Sequence, residues 1–353
     1  MLRLPRWSPR RGLALALALL VVVAVLVVVW LVRGEDRTRL ERALALVPDS
    51  TQRFSWTDWS AVREAVGSDV DEDSSVPEVE DFLLAAYDRD LSNTTGLDDT
   101  GPRMHATLGL SPASLDWELF AQGPKGALVA MGLPDGYDVD ALRDRLRELG
   151  YVEPDEADGV WQGGADLASR LGLTPELGAL VVHEEEGVVY AGDDASYLRG
   201  RADDARGERD DTIADVAAGA GDALGALLLT GDQACTELAM SEADAADKVR
   251  AAELVEEAGG VHPLTGFAMA AEPGGDVRVV LTLDSEDQAR ADARSRSKLA
   301  AGPAPGQGGT FPERFTLGEV SAEGERVTMD LRPVDGWAVL SDLSNGPVLF
   351  ASC

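Results

Sequence analysis

Residues 12–32 (GLALALALLVVVAVLVVVWLV) carry no charged side chain, and beyond them apolar positions recur at helical or alternating spacing. As a helix this run rises about 31 Å, the thickness of a bilayer's hydrocarbon core, so one membrane crossing is expected. Arg3, Arg6, Arg10 and Arg11 precede the run and Glu35 and Asp36 follow it, which predicts residues 1–11 in the cytoplasm and the chain beyond 32 outside. No small-residue cleavage site ends the run, so it reads as an uncleaved anchor and not as a secretory signal. Leu40, Ala43, Leu44 and Val47 then share one side of a helix, extending the expectation to a helical stalk over 33–50 that Pro48 ends.

From residue 51 the pattern alternates between periods of two and 3.6. A strand over 52–56 leads into a helix capped at Thr57 or Asp58, with Trp59, Val62 and Val66 inward, and a second helix over 77–88 turns Val79, Phe82, Leu83 and Tyr87 inward. A hairpin over 115–122 and 127–133 follows, its Asp116 and Glu118 alternating outward against Leu115, Trp117 and Leu119. Asp138 caps a helix over 139–149 that Gly150 ends, and a hairpin over 178–191 precedes a helix over 194–202. The charged stretch 203–211 marks a boundary. Beyond it come a helix over 212–218, an apolar strand over 225–230 and a helix over 242–257 with Ala245, Val249, Ala252 and Val255 on one side. The plan then runs again: a hairpin over 266–272 and 277–284, a helix capped at Ser285, a hairpin over 315–321 and 326–331, a helix over 335–343 and a terminal strand over 347–353. The expected fold is α+β, with hairpin and helix units over 51–205 and 206–353 packed as sheet and helix layers.

Charge narrows the partners. The net charge of -32 over 353 residues disfavours nucleic acid and anionic lipid headgroups as ligands. The two cysteines, Cys235 and Cys353, both fall on the expected outer side, where an even count predicts a disulfide.

Residues 69–80 (DVDEDSSVPEVE) place carboxylates much as a calcium-binding EF-hand loop does. Ser74 stands where that loop's sharp turn needs glycine, and Pro77 suits the first turn of a helix, so an acidic helix start accounts for the same letters. His105, His183 and His262 are far apart, and His183-Glu184 lacks the second histidine of a metalloprotease helix. Ser295 and Lys298 match S-x-x-K without the partner motifs of penicillin-recognising enzymes. No catalytic, cofactor-binding or metal-ligating residue is therefore assigned, and no cofactor is expected.

The stretches SWTDWSAVR (55–63), DWELFAQ (116–122), CTELAMSEAD (235–244), HPLTGFAMA (262–270) and the ending GPVLFASC resemble a family of actinobacterial single-pass membrane-anchored proteins of unknown function. The resemblance implies topology and source, and no activity. The functional expectation is an extracytoplasmic binding or scaffolding module of the cell envelope, with the membrane and an envelope protein as partners. The alternative is a metal-assisted envelope hydrolase that uses the abundant carboxylates.

Overall fold

The computed structural model describes residues 37–97, 100–204 and 211–353. The expected anchor, residues 12–32, lies outside them, and among the described residues no helix is long and apolar enough to cross a membrane. The first helix, α1 (Arg39–Leu44), opens on a reciprocal cap in which Thr38 accepts from the Glu41 amide and Glu41 accepts from the Thr38 amide. The segment expected as a stalk instead lays Leu40, Ala43 and Leu44 on the sheet, where all three are buried.

Strand β1 (Arg53–Thr57) is followed by α2 (Trp59–Val66), α3 (Val76–Tyr87) and α4 (Gly101–Leu108) before the hairpin of β2 (Trp117–Gly123) and β3 (Gly126–Gly132). Next come α5 (Val139–Leu149), β4 (Val160–Gln162), α6 (Gly164–Leu171), the hairpin of β5 (Ala179–His183) and β6 (Val188–Gly192), and α7 (Ala195–Asp204). The remainder runs α8 (Asp211–Ala220), β7 (Gly225–Thr230), α9 (Gln233–Thr236), α10 (Ala245–Ala258), β8 (Gly266–Ala271), β9 (Val277–Thr282), α11 (Glu286–Ala300), β10 (Phe315–Glu323), β11 (Arg326–Pro333) and α12 (Val339–Ser344). The caps follow the letters. Asp58 and Asp138 accept from the amides of Ala61 and Ala141, and Gly150 ends α5 at a φ of 97° that only glycine adopts without strain. Ser285 caps α11 as expected, although the Gln288 side chain reaches back to the Asp284 amide and not to that of Ser285.

All the strands form one antiparallel sheet in the order β10-β11-β9-β8-β7-β1-β2-β3-β6-β5-β4. At its centre β1 pairs with β7, Ser55 opposite Leu227. Outward from that pair the succession of hairpins matches on both sides, β2, β3, β6 and β5 on one and β8, β9, β11 and β10 on the other, with β4 added as an edge strand beyond β5 only. One sheet face carries Trp59, Phe82, Met104, Leu146, Leu254, Leu299 and Leu343 from its helices. The opposite face carries α1, α7 and α8 through Leu40, Leu198 and Val216. Covered on both faces, β7 buries every residue and reads as a continuous apolar run, GALLLT.

Several local expectations yield to this double cover. Glu118, expected outward by alternation, is fully buried, because the face it points to lies under α2 and not under water. Tyr87 and Val249, expected inward, are 68% and 62% exposed, and Ala86 and Ala251 take the buried positions. Helix α4, which begins with Gly101-Pro102, had no counterpart in the periodicity. The expected terminal strand is instead a single helical turn, Leu349–Ala351. The Phe350 carbonyl there accepts from Arg296 and the Val348 amide donates to the Leu238 carbonyl, so these groups are not available to a sheet ladder.

Candidate binding cleft

Helix α3 ends at Tyr87, and the chain turns sharply through Asp88, Arg89 and Asp90. Asp90 has a φ of 60°, the one positive value outside glycine among the described residues, in the left-handed region that aspartate tolerates better than most. Its carboxylate accepts from the Leu340 amide at 2.6 Å, from the Ser341 amide at 3.1 Å and from the Ser341 hydroxyl, which caps the first turn of α12. Burial raises the Asp90 pKa above its ordinary value, opposed by those hydrogen bonds.

This clasp brings the turn after α3 against the loop that joins β11 to α12, and the two, with the β8–β9 hairpin at Ala271, Gly275 and Val277, line an open cleft of about 520 Å³. Its apolar wall is Tyr87, Val334 and Trp337, which are 68%, 38% and 42% exposed. Around them stand Asp88, Asp335 and Asp342, and no ion pair to a described residue engages any of the three. Arg89, the basic residue in the lining, directs its guanidinium to the Ala65 carbonyl. Behind the wall, the Arg314 guanidinium lies 5.3 Å from the centre of the Trp337 ring and donates to the carbonyls of Gln307 and Gly308. Sequence reasoning missed this site. By its spacing Tyr87 reads as core, and Trp337 and Asp90 carry no local signal, because the site exists only where segments about 250 positions apart meet.

The predicted disulfide is present between Cys235 and Cys353, with Cα atoms 5.4 Å apart. A bond of this kind fits an extracytoplasmic compartment. Beside it Arg296 and Asp292, both with fully buried side chains, pair at 2.8 Å. The Arg296 guanidinium donates to the carbonyls of Phe350, Ser352 and His262, while Asp292 accepts from the His262 ring at 2.6 Å and from its amide at 3.1 Å. Burial lowers the Arg296 pKa and Asp292 opposes the fall. A histidine oriented by a buried carboxylate is half of a nucleophilic triad. Among the described residues no hydroxyl or thiol hydrogen-bonds to the His262 ring, and through the carbonyls of Phe350 and Ser352 the cluster fastens the chain's end.

The other sequence candidates are dispersed. In the loop over 69–80, Asp71 accepts from the Asp73 amide, and Glu78 accepts from the Ser75 amide and hydroxyl, each at 2.7 Å. The Ser75 bonds hold the Glu78 pKa below its ordinary value. The ring of His105 donates from Nε2 to the Ser74 carbonyl at 2.7 Å. Ser295 donates to the Ala291 carbonyl and Lys298 to that of Ala258, so S-x-x-K forms no pair. Among the described residues no group of three or more His, Cys, Asp or Glu is placed to hold a metal ion.

No family model matches the chain, and no curated protein is significantly similar to it. Among solved structures, crystal form I of TP0453 superposes with a TM-score of 0.40 at 9% identity, over 85% of this chain and 96% of that one. Crystal form III of TP0453 gives a TM-score of 0.37 at 9% identity, over 85% and 97%. At that level the likeness carries no argument about function.

Proposed function

We propose that the protein is an extracytoplasmic binding module of the cell envelope, tethered by residues 12–32 as a single-pass anchor, and that the cleft beside Asp90 is its ligand site. The anchor rests on the apolar run and the arginines before it. The outer location is supported by the disulfide. The matching strand succession on either side of the central β1–β7 pair supports two like units over 51–205 and 206–353.

The observation that carries the binding role is a convergence of exposed apolar side chains. Of the six large ones exposed among the described residues, Tyr87, Val334 and Trp337 line this one cleft. Isolated exposed apolar residues are ordinary, but a cluster of them at a concave site marks contact with a ligand. The volume falls within the range of about 300–1,000 Å³ usual for ligand sites.

A photo-crosslinking side chain placed at Tyr87 in the native membrane tests the reading. A discrete adduct is expected there and none at Val152 or Val249, which are exposed to a similar degree, 65% and 62%, away from the cleft. No adduct at Tyr87, or the same adducts at all three positions, would overturn it.

A further inference from the structure

The cleft's chemistry also points to the class of its ligand. We infer that it receives the cationic side chains of a lysine- or arginine-rich segment of a partner protein, an inference that rests on the cleft being the ligand site. Asp88, Asp335 and Asp342 stand around an apolar wall, and no described cation pairs with them. Asp90 is set apart from these three, because the amides and hydroxyl of α12 already occupy its oxygens. Arg89 turns its guanidinium to the Ala65 carbonyl and pairs with none of the three, and its one positive charge leaves the lining net acidic.

Carboxylates gathered beside a low-polarity wall repel one another, and the field there favours a cation. Covering them with a neutral ligand would take three charges from water without compensation, and an anionic ligand would add to the repulsion. A bare inorganic cation would leave Tyr87, Val334 and Trp337 unused. Lysine and arginine match both halves of the cleft: their aliphatic stems cover apolar surface while the charged heads reach outward to carboxylates. The protein already makes this kind of contact at the same ring, since Arg314 packs on Trp337 at 5.3 Å from within, and Arg147 lies over Trp161 at 5.5 Å elsewhere. Three carboxylates spread around about 520 Å³ suit a segment bearing several cations better than a single side chain.

The protein's overall charge of -32 would attract any polycation, so the test must separate the cleft from the surface. The full chain in neutral detergent is titrated with tetra-arginine, tetra-serine and tetra-glutamate peptides. Three variants are compared with the unaltered protein: D88N/D335N/D342N, Y87A, and a control, E148Q/E185Q/E319Q, that removes three exposed carboxylates elsewhere. Tetra-arginine alone should bind. The cleft triple variant should weaken it about tenfold or more, Y87A about threefold, and the control less than about twofold. Equal losses in the two triple variants would show that the acidic surface as a whole attracts the peptide and would overturn the inference. Binding that no cleft variant alters would do the same. The crosslink at Tyr87 then separates the two claims: if its adduct persists, the cleft stands and the cationic class falls, and if it is absent both fall.

Discussion

Asp90 and Leu340 lie 250 positions apart, and the carboxylate of the first accepts the backbone amide of the second at 2.6 Å. That bond, with those to Ser341, joins the end of α3 to the start of α12 and holds both sides of the cleft.

Asp90→Asn keeps the shape but turns an amide group toward a donor, whichever way it is flipped. At neutral pH it is expected to destabilise the fold by about 1–2 kcal/mol, as loss of a helix cap and a buried acceptor does. The folded pKa of Asp90 is raised above its ordinary 3.8, so its titration adds stability below that value and the contribution is lost as pH rises through the raised one. Urea midpoints of the two proteins, measured across that window, should therefore draw further apart as the solution is acidified. A gap that closes on acidification would contradict the burial assigned to Asp90.

Arg296 and Asp292 form the one ion pair among the described residues in which both side chains are fully buried. Arg296→Met leaves the Asp292 carboxylate without its guanidinium and frees the carbonyls of Phe350 and Ser352. A loss of about 3–5 kcal/mol in urea unfolding is expected, because an unpaired buried charge costs more than the pair returns. Combining Arg296→Met with Asp292→Leu should recover much of that loss. A single-variant loss below about 1 kcal/mol would show that the pair does not secure the chain's end.

The Cys235–Cys353 bond closes a loop over a separation of 118 residues. Chain-entropy reasoning allows up to about 4.7 kcal/mol for a loop near this length. Arg296 fastens the same end independently, so Cys353→Ser is expected to lower stability by about 2–4 kcal/mol without unfolding the chain. Unfolding midpoints of the variant and of the reduced protein should agree. Free thiols on both cysteines in protein taken from the envelope would refute the pairing.

Much of the local structure was legible because its causes lie within a few residues. Asp58 and Asp138 sit three positions before the amides they cap, and Gly150 ends its helix because only glycine takes that φ freely. The α+β alternation and the cysteine pairing follow from periodicity, count and compartment. The order of the strands has no such local cause: it depends on which apolar faces find cover, and that is settled by the whole chain at once. Glu118 shows the difference. Its letter promised a solvated position, but the helix layer above β2 buries it, and Trp59 Nε1 at 3.1 Å and the Gly96 amide at 3.0 Å satisfy its oxygens.

By itself, then, the sequence determined the apolar run, the caps, the class of fold and the two cysteines available to pair, all consequences of short-range geometry and composition. The tertiary structure alone decided that Tyr87 faces outward, that Asp90 reaches α12, and that three aspartates with no ion-pair partner among the described residues surround an apolar wall. A site assembled from segments some 250 positions apart leaves no trace in any window of sequence, because its distances exist only after the sheet between those segments has formed.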